Sequence, residues 1–174
     1  MRHLFKQHLK DLYRVRTSVG RDLDNGIRLD RNERVSNYSS EILHDIYKSF
    51  PDYLLSTYPD TEEFYLKLAE FTGVSTDSLF LTMGSTDGIR IIYELLTNKG
   101  DQVVSIYPTY PMYELYSKIY QANFIKVEFL DDLSVDMDNL LQTIQKSTSI
   151  VFLPNPNLPV ESYLERDEVI MLLD

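Results

Sequence analysis

The chain has 174 residues, a formal net charge of −10, 43 % hydrophobic content and no cysteine. That length holds one domain-sized core, and the negative field disfavours nucleic-acid phosphates and anionic lipid surfaces. Without thiols there is no disulfide scaffold, thiolate zinc site or cysteine nucleophile.

Residues 1–34 are locally basic, with nine basic and five acidic side chains. Their charges recur too often for the apolar core of a signal peptide. The longest uncharged run, Ser147 to Val160, is broken by three prolines and is too short to cross a bilayer. No membrane partner or nucleic-acid partner is expected, and a cytoplasmic location is the default. Residues 1–59 show no repeating pattern. They read as an N-terminal arm and helical extension: a basic helical arm, a turn region at Gly20 and Asn25-Gly26, and a helix from Ser39 to Phe50.

From residue 60 to 174 helical and extended signals alternate. Asp60 with Glu63 predicts a capping box, Phe64, Leu68 and Phe71 mark one helical face, and Gly73 marks the stop. Leu79 to Met83 predicts a short strand, followed by a helix whose apolar stripe is Ile89, Ile92 and Leu96. The unit then recurs: a strand over Gln102 to Tyr107 and a helix over Pro111 to Gln121. Next, Ile125, Val127 and Phe129 alternate with Lys126 and Glu128, the pattern of a strand near a sheet edge. A helical stripe at Leu140, Leu141 and Ile144, a buried strand at Ile150 to Leu153, and a helix from Arg166 to Asp174 complete the series. The fold class is α/β, a mostly parallel sheet with flanking helices and an N-terminal arm. The last helical pattern ends at Asp174 without a C-cap, which reads as the end of a fragment.

Three loops follow strands and could carry chemistry. Gly84-Ser85-Thr86-Asp87-Gly88 opens a helix, where free N–H groups and the positive dipole end suit a phosphate; a plain helix cap is an equally good reading of this pentapeptide taken alone. It matches neither the dinucleotide nor the ATP-binding glycine motif. Tyr107-Pro108-Thr109-Tyr110-Pro111-Met112-Tyr113 brings aromatic rings to the carboxyl edge of a parallel sheet, where ligands bind, although core packing would also account for it. Leu153-Pro154-Asn155-Pro156-Asn157-Leu158-Pro159 is a stiff loop carrying two amides to the same edge. His3, His8 and His44 lack metal-ligand spacing, and Asp131 to Asp138 reads as a solvated loop with a helix cap.

Several of these segments, in this order, resemble the fold type I pyridoxal-phosphate aminotransferases, and among them the histidinol-phosphate aminotransferase branch. Leu29-Asp30-Arg31-Asn32-Glu33, Thr57-Tyr58-Pro59-Asp60, Gly84 to Gly88, and Pro108-Thr109-Tyr110-Pro111-Met112-Tyr113 are similar to that family's motifs. The resemblance runs from about Leu29 to the end of the chain and covers the first half of the family's length. It makes 60–174 the first part of the large domain of an aspartate aminotransferase-like fold.

The resemblance implies pyridoxal 5'-phosphate as cofactor, with Gly84, Ser85 and Thr86 at its phosphate and Tyr110 stacked on its ring. It also implies a homodimer with a shared active site, in which Tyr58 reaches the neighbouring subunit's phosphate. The implied substrates are a small amino donor, an amino acid or amino-alcohol phosphate, and a 2-oxo acid. Leu158 stands where the family has an asparagine that donates to the cofactor, so either Asn157 replaces it or the cofactor ring's electronics are tuned differently. None of the eight lysines lies in the context of the family's Schiff-base lysine, so the 174 residues alone are expected to be inactive. A threonine-phosphate-type decarboxylase, a non-catalytic binding remnant, and a phosphate-sugar or nucleotide-binding protein remain open at this point.

Overall fold

The computed structural model describes residues 6–12, 33–34 and 36–173. The predicted turns at Gly20 and Asn25-Gly26, most of the basic arm and Leu29 to Asn32 lie outside the described residues. Two compact units are present: the described parts of Met1–Arg14 together with Thr82–Asp174, and those of Val15–Leu81. The compositional boundary at 59/60 falls inside the second.

The first unit is built on β1 (Gln102–Tyr107), β2 (Asn123–Glu128) and β3 (Thr148–Phe152), all parallel, in the order β2-β1-β3. Runs of β-branched residues suit the middle of such a sheet, and Val103 to Ile106 of β1 are buried in sequence. β2 lies at an edge, as its alternating pattern predicts, with Val127 inward and Lys126 and Glu128 exposed.

Successive residues of β1 face opposite ways. On one face Val103, Ile150 and Phe152 pack with Ile89 and Tyr93 of α3 (Ser85–Leu96) and Tyr113 of α4 (Met112–Tyr120). On the other, Val104, Ile106 and Val127 pack with Leu140 of α5 (Met137–Thr143). Asp136 caps α5 by accepting from Asn139 N–H at 3.0 Å. A short 3-10 turn, Gln7–Leu9, is tied to this unit where His8 Nε2 donates to the Ile119 carbonyl at 3.0 Å.

The buried stripe of α3 differs from the predicted one. Ile89 and Tyr93 are buried, whereas Ile92 and Leu96 are exposed. Both stripes fit a helical period; the choice falls to Tyr93 because its hydroxyl finds partners inside, donating to the Tyr113 carbonyl at 2.7 Å and pairing with Ser117 Oγ at 2.8 Å. The last helix, α6, spans Arg166–Met171 and opens on a capping box between Glu165 and Glu168.

The second unit holds α1 (Ser40–Ser49) and α2 (Glu62–Thr72). Ser39 caps α1 through Ile42 N–H, and Gly73 ends α2 in the left-handed conformation at φ 73°. The capping box expected from Asp60 and Glu63 does not form. Thr61 is the N-cap, Asp60 accepts from Glu62 N–H at 3.0 Å, and Glu63 pairs with Lys67 at 2.6 Å one turn on. Leu79–Met83 is not a strand either. No ladder of the sheet reaches it, and the Leu81 N–H is taken by the Tyr65 hydroxyl at 3.0 Å. An extended run without a neighbouring strand has nothing to complete its backbone hydrogen bonds.

Candidate functional site

At the start of α3 the N-cap is Gly84, with φ 79° and ψ 172°. That conformation favours glycine, and the space where a Cβ would sit is open. The Gly84 carbonyl accepts from Asp87 and Gly88 N–H at 3.2 and 3.3 Å, which starts the helix. The N–H groups of Ser85 and Thr86 precede the intrahelical ladder and are the donors a helix of this length offers an anion. Ser85 is exposed and Thr86 half-buried, so both hydroxyls stand at the surface of this turn.

Tyr110 comes from the loop after β1, and its hydroxyl is 3.1 Å from Thr86 Oγ1. The two sequence-predicted groups, 24 residues apart, therefore share one place. Behind Tyr110 the aromatic packing is continuous: Tyr113 meets it edge-on at 5.8 Å and stacks on Phe152 at 4.3 Å. Phe152 stacks in turn on Tyr93 at 5.5 Å. Burial pushes the Tyr93 phenol up to about 12 and raises that of Tyr113, so these rings are neutral packing groups at neutral pH.

Asn157 comes from the loop after β3 and is 0 % exposed. Its Oδ1 accepts from Thr109 Oγ1 at 2.9 Å, and its Nδ2 donates to the Pro108 carbonyl at 2.9 Å. The amide thus joins the two loops that leave the carboxyl ends of β1 and β3, setting the path of the Tyr110 loop. Asn155 is similarly engaged, exchanging two 3.0 Å hydrogen bonds with Leu164 backbone. Leu158 is exposed. Neither the clamp role of Asn157 nor the inner position of Tyr93 has a local sequence signal, because their partners lie far along the chain.

Other predicted positions fall elsewhere. Tyr58 belongs to the second unit and is fully exposed. Among the described residues of the first unit, Lys118 and Lys126 are paired with Glu114 at 2.8 and 3.0 Å. The Lys126 ammonium also lies 4.0 Å from the Tyr107 ring centroid, and the Glu114 hydrogen bond holds its pKa above the ordinary value. Lys99 and Lys146 precede β1 and β3, at the amino edge of the parallel sheet and opposite the loops carrying Tyr110 and Asn157. No group of His, Asp or Glu among the described residues is arranged to hold a metal ion.

A three-layer α/β unit whose helix start at Gly84 lies beside a tyrosine is the kind of protein this fold and site define. It matches the histidinol-phosphate aminotransferase of Sinorhizobium meliloti, solved in complex with pyridoxal-5'-phosphate, with a TM-score of 0.67 at 22 % identity, over 78 % of this chain and 37 % of that one. The sequence model of the family described as aminotransferase class I and II matches residues 28–174, and the chain belongs to that family.

A histidinol-phosphate aminotransferase of Thermoanaerobacter sp. (strain X514) is 33 % identical over 149 residues, 84 % of this chain and 42 % of the relative. One from Clostridium kluyveri (strain ATCC 8527) is 26 % identical over 98 % of this chain and 49 % of its own length. The chain thus spans less than half the length of these relatives.

Proposed function

We propose that these residues form the phosphate-binding and ring-stacking part of a pyridoxal-phosphate-dependent aminotransferase of the histidinol-phosphate type. The observation that carries this reading is the Thr86–Tyr110 hydroxyl contact of 3.1 Å at the opening of α3. The residues suit the group: Gly84 leaves open space, Ser85 and Thr86 offer backbone and hydroxyl donors to a phosphate, and Tyr110 offers a ring beside it. When bound, the cofactor supplies the electron sink for amino-group transfer. This chain's residues bind and orient it, and Asn157 positions the loop that carries Tyr110.

The wider reading is of a large α/β domain begun at residue 60, in a cytoplasmic homodimer whose active site is shared. Tyr58, exposed on its own unit, then serves the cofactor phosphate of a second subunit. The substrates are an amino acid or amino-alcohol phosphate and a 2-oxo acid. The positions of Lys99, Lys118, Lys126 and Lys146 support the further reading that the 174 residues alone bind the cofactor without turning over.

Titrating pyridoxal phosphate into the chain, followed by its absorbance and by phosphorus NMR, tests this. Saturable binding is expected, with Tyr110→Ala weakening pyridoxal phosphate about tenfold and inorganic phosphate little. Thr86→Ala should weaken both. Absence of saturable binding, or binding indifferent to both substitutions, would overturn the reading.

A further inference from the structure

The turn before α3 is held by contacts that the phosphate-binding reading does not use. Gly84 N–H bonds the Thr82 carbonyl at 2.8 Å, and Thr82 Oγ1 donates to the Gly84 carbonyl at 3.0 Å. Asp87, in the first turn of the helix, reaches back so that its Oδ2 accepts from Met83 N–H at 3.3 Å. Its other oxygen, Oδ1, is held by the fork of Arg90, with Nε and Nη2 each 3.1 Å away. Arg90 Nη1 is anchored in turn on Glu94 at 2.7 Å. The Asp87 side chain is 18 % exposed, the Arg90 side chain 43 %.

Coulomb's law alone makes a carboxylate beside an anion-binding turn a fault, and Asp87 lies one residue from Thr86. The geometry points to the opposite assignment: Asp87 is a positioning residue that strengthens anion binding, by clamping Met83 N–H and so fixing the Gly84 turn from which the Ser85 and Thr86 donors project. Arg90 completes the device in two ways. Its planar fork locks the carboxylate rotamer, and its charge offsets the repulsion the carboxylate would exert on a phosphate. Thr82 braces the same turn from the other side, and its side chain lies 3.4 Å from where a Cβ on Gly88 would stand. Thr82, Asp87 and Gly88 thus interlock around Gly84. This inference rests on the phosphate-binding reading of the preceding section for its consequence, but not for its geometry.

The two contributions of Asp87, charge and acceptor, are separable. Asp87→Ala removes both, while Asp87→Asn keeps an oxygen for Met83 N–H and removes the charge. If the clamp governs, Asp87→Ala weakens binding of inorganic phosphate and of pyridoxal phosphate alike, by about tenfold, although it deletes a negative charge. Asp87→Asn, which keeps an acceptor for Met83 N–H but faces Arg90 with an amide donor, then recovers part of that loss.

Amide hydrogen exchange at Met83 gives a readout that needs no ligand: faster in Asp87→Ala, and intermediate between that and the unsubstituted rate in Asp87→Asn. Affinity unchanged or improved in Asp87→Ala, or Met83 exchange unaffected by it, would overturn the inference. An unsubstituted chain that binds neither phosphate probe would overturn the functional reading, and the exchange measurement would still decide the clamp.

Discussion

The two units of this chain use similar residues to opposite effect. Around the parallel sheet, Tyr93, Val103, Val104, Ile106, Val127 and Leu140 are essentially inaccessible. Among the described residues 33–81 no side chain is fully buried, and Ile42, Leu43, Ile46, Tyr47 and Phe50 of the α1 segment are all exposed. Both helices of that unit carry apolar residues, so hydrophobicity does not separate the regions. Topology does. A strand flanked by two others presents two apolar faces, and helices returning across them close a core within about seventy residues of chain. Among the described residues of the second unit, α1 and α2 bury no side chain fully, and caps and an exposed ion pair do not replace a core.

The sharpest way to break that contrast is Tyr93→Ala. It removes the centre of the aromatic packing and the hydrogen bonds to Tyr113 and Ser117, and should cost about 3–5 kcal/mol in urea unfolding followed by circular dichroism. A loss below about 1 kcal/mol would show that the sheet unit is not the stable one.

Alkaline pH probes the same residue without mutation. Burial pushes the Tyr93 phenol up to about 12 from its ordinary 10.0, so the folded state holds its proton longer than the unfolded chain. Its contribution is fully present below the unfolded value and is lost as pH rises towards the folded one. Stability should therefore fall across that interval, and the slope should flatten in Tyr93→Phe. An identical slope in both proteins would remove the assignment.

The smallest effect is expected in the other unit. Ile46→Ala, on an exposed face of α1, should change stability by no more than about 0.5 kcal/mol. A loss of core size there would mean that α1 is covered in solution.

Legibility in the sequence followed the range of the interactions. β1, β2 and β3, α4 and α1 were readable because each is announced by a local pattern: an apolar run, an alternation, a helical stretch. The alternation of β2 agrees with its edge position, whereas β3, read from its apolar run as a buried strand, is also an outer strand of the three. Gly84 was readable as a helix opening for the same reason, and so was the adjacency of Tyr110 to the sheet's carboxyl edge. The strand expected at Leu79 to Met83 failed because extended structure depends on a neighbour, and a run of five apolar residues does not encode one.

What the sequence determined by itself was the class of architecture and the loops in which chemistry could reside, since periodicity and turn residues act over a few positions. The tertiary structure alone decided that α3 buries Tyr93 rather than Ile92, that Thr86 meets Tyr110, and that Asn157 is consumed as a clamp on Thr109 and Pro108. Each of those outcomes depends on a hydrogen-bonding group finding its partner 20 to 49 residues away. Burial of a polar atom is costly unless such a partner waits.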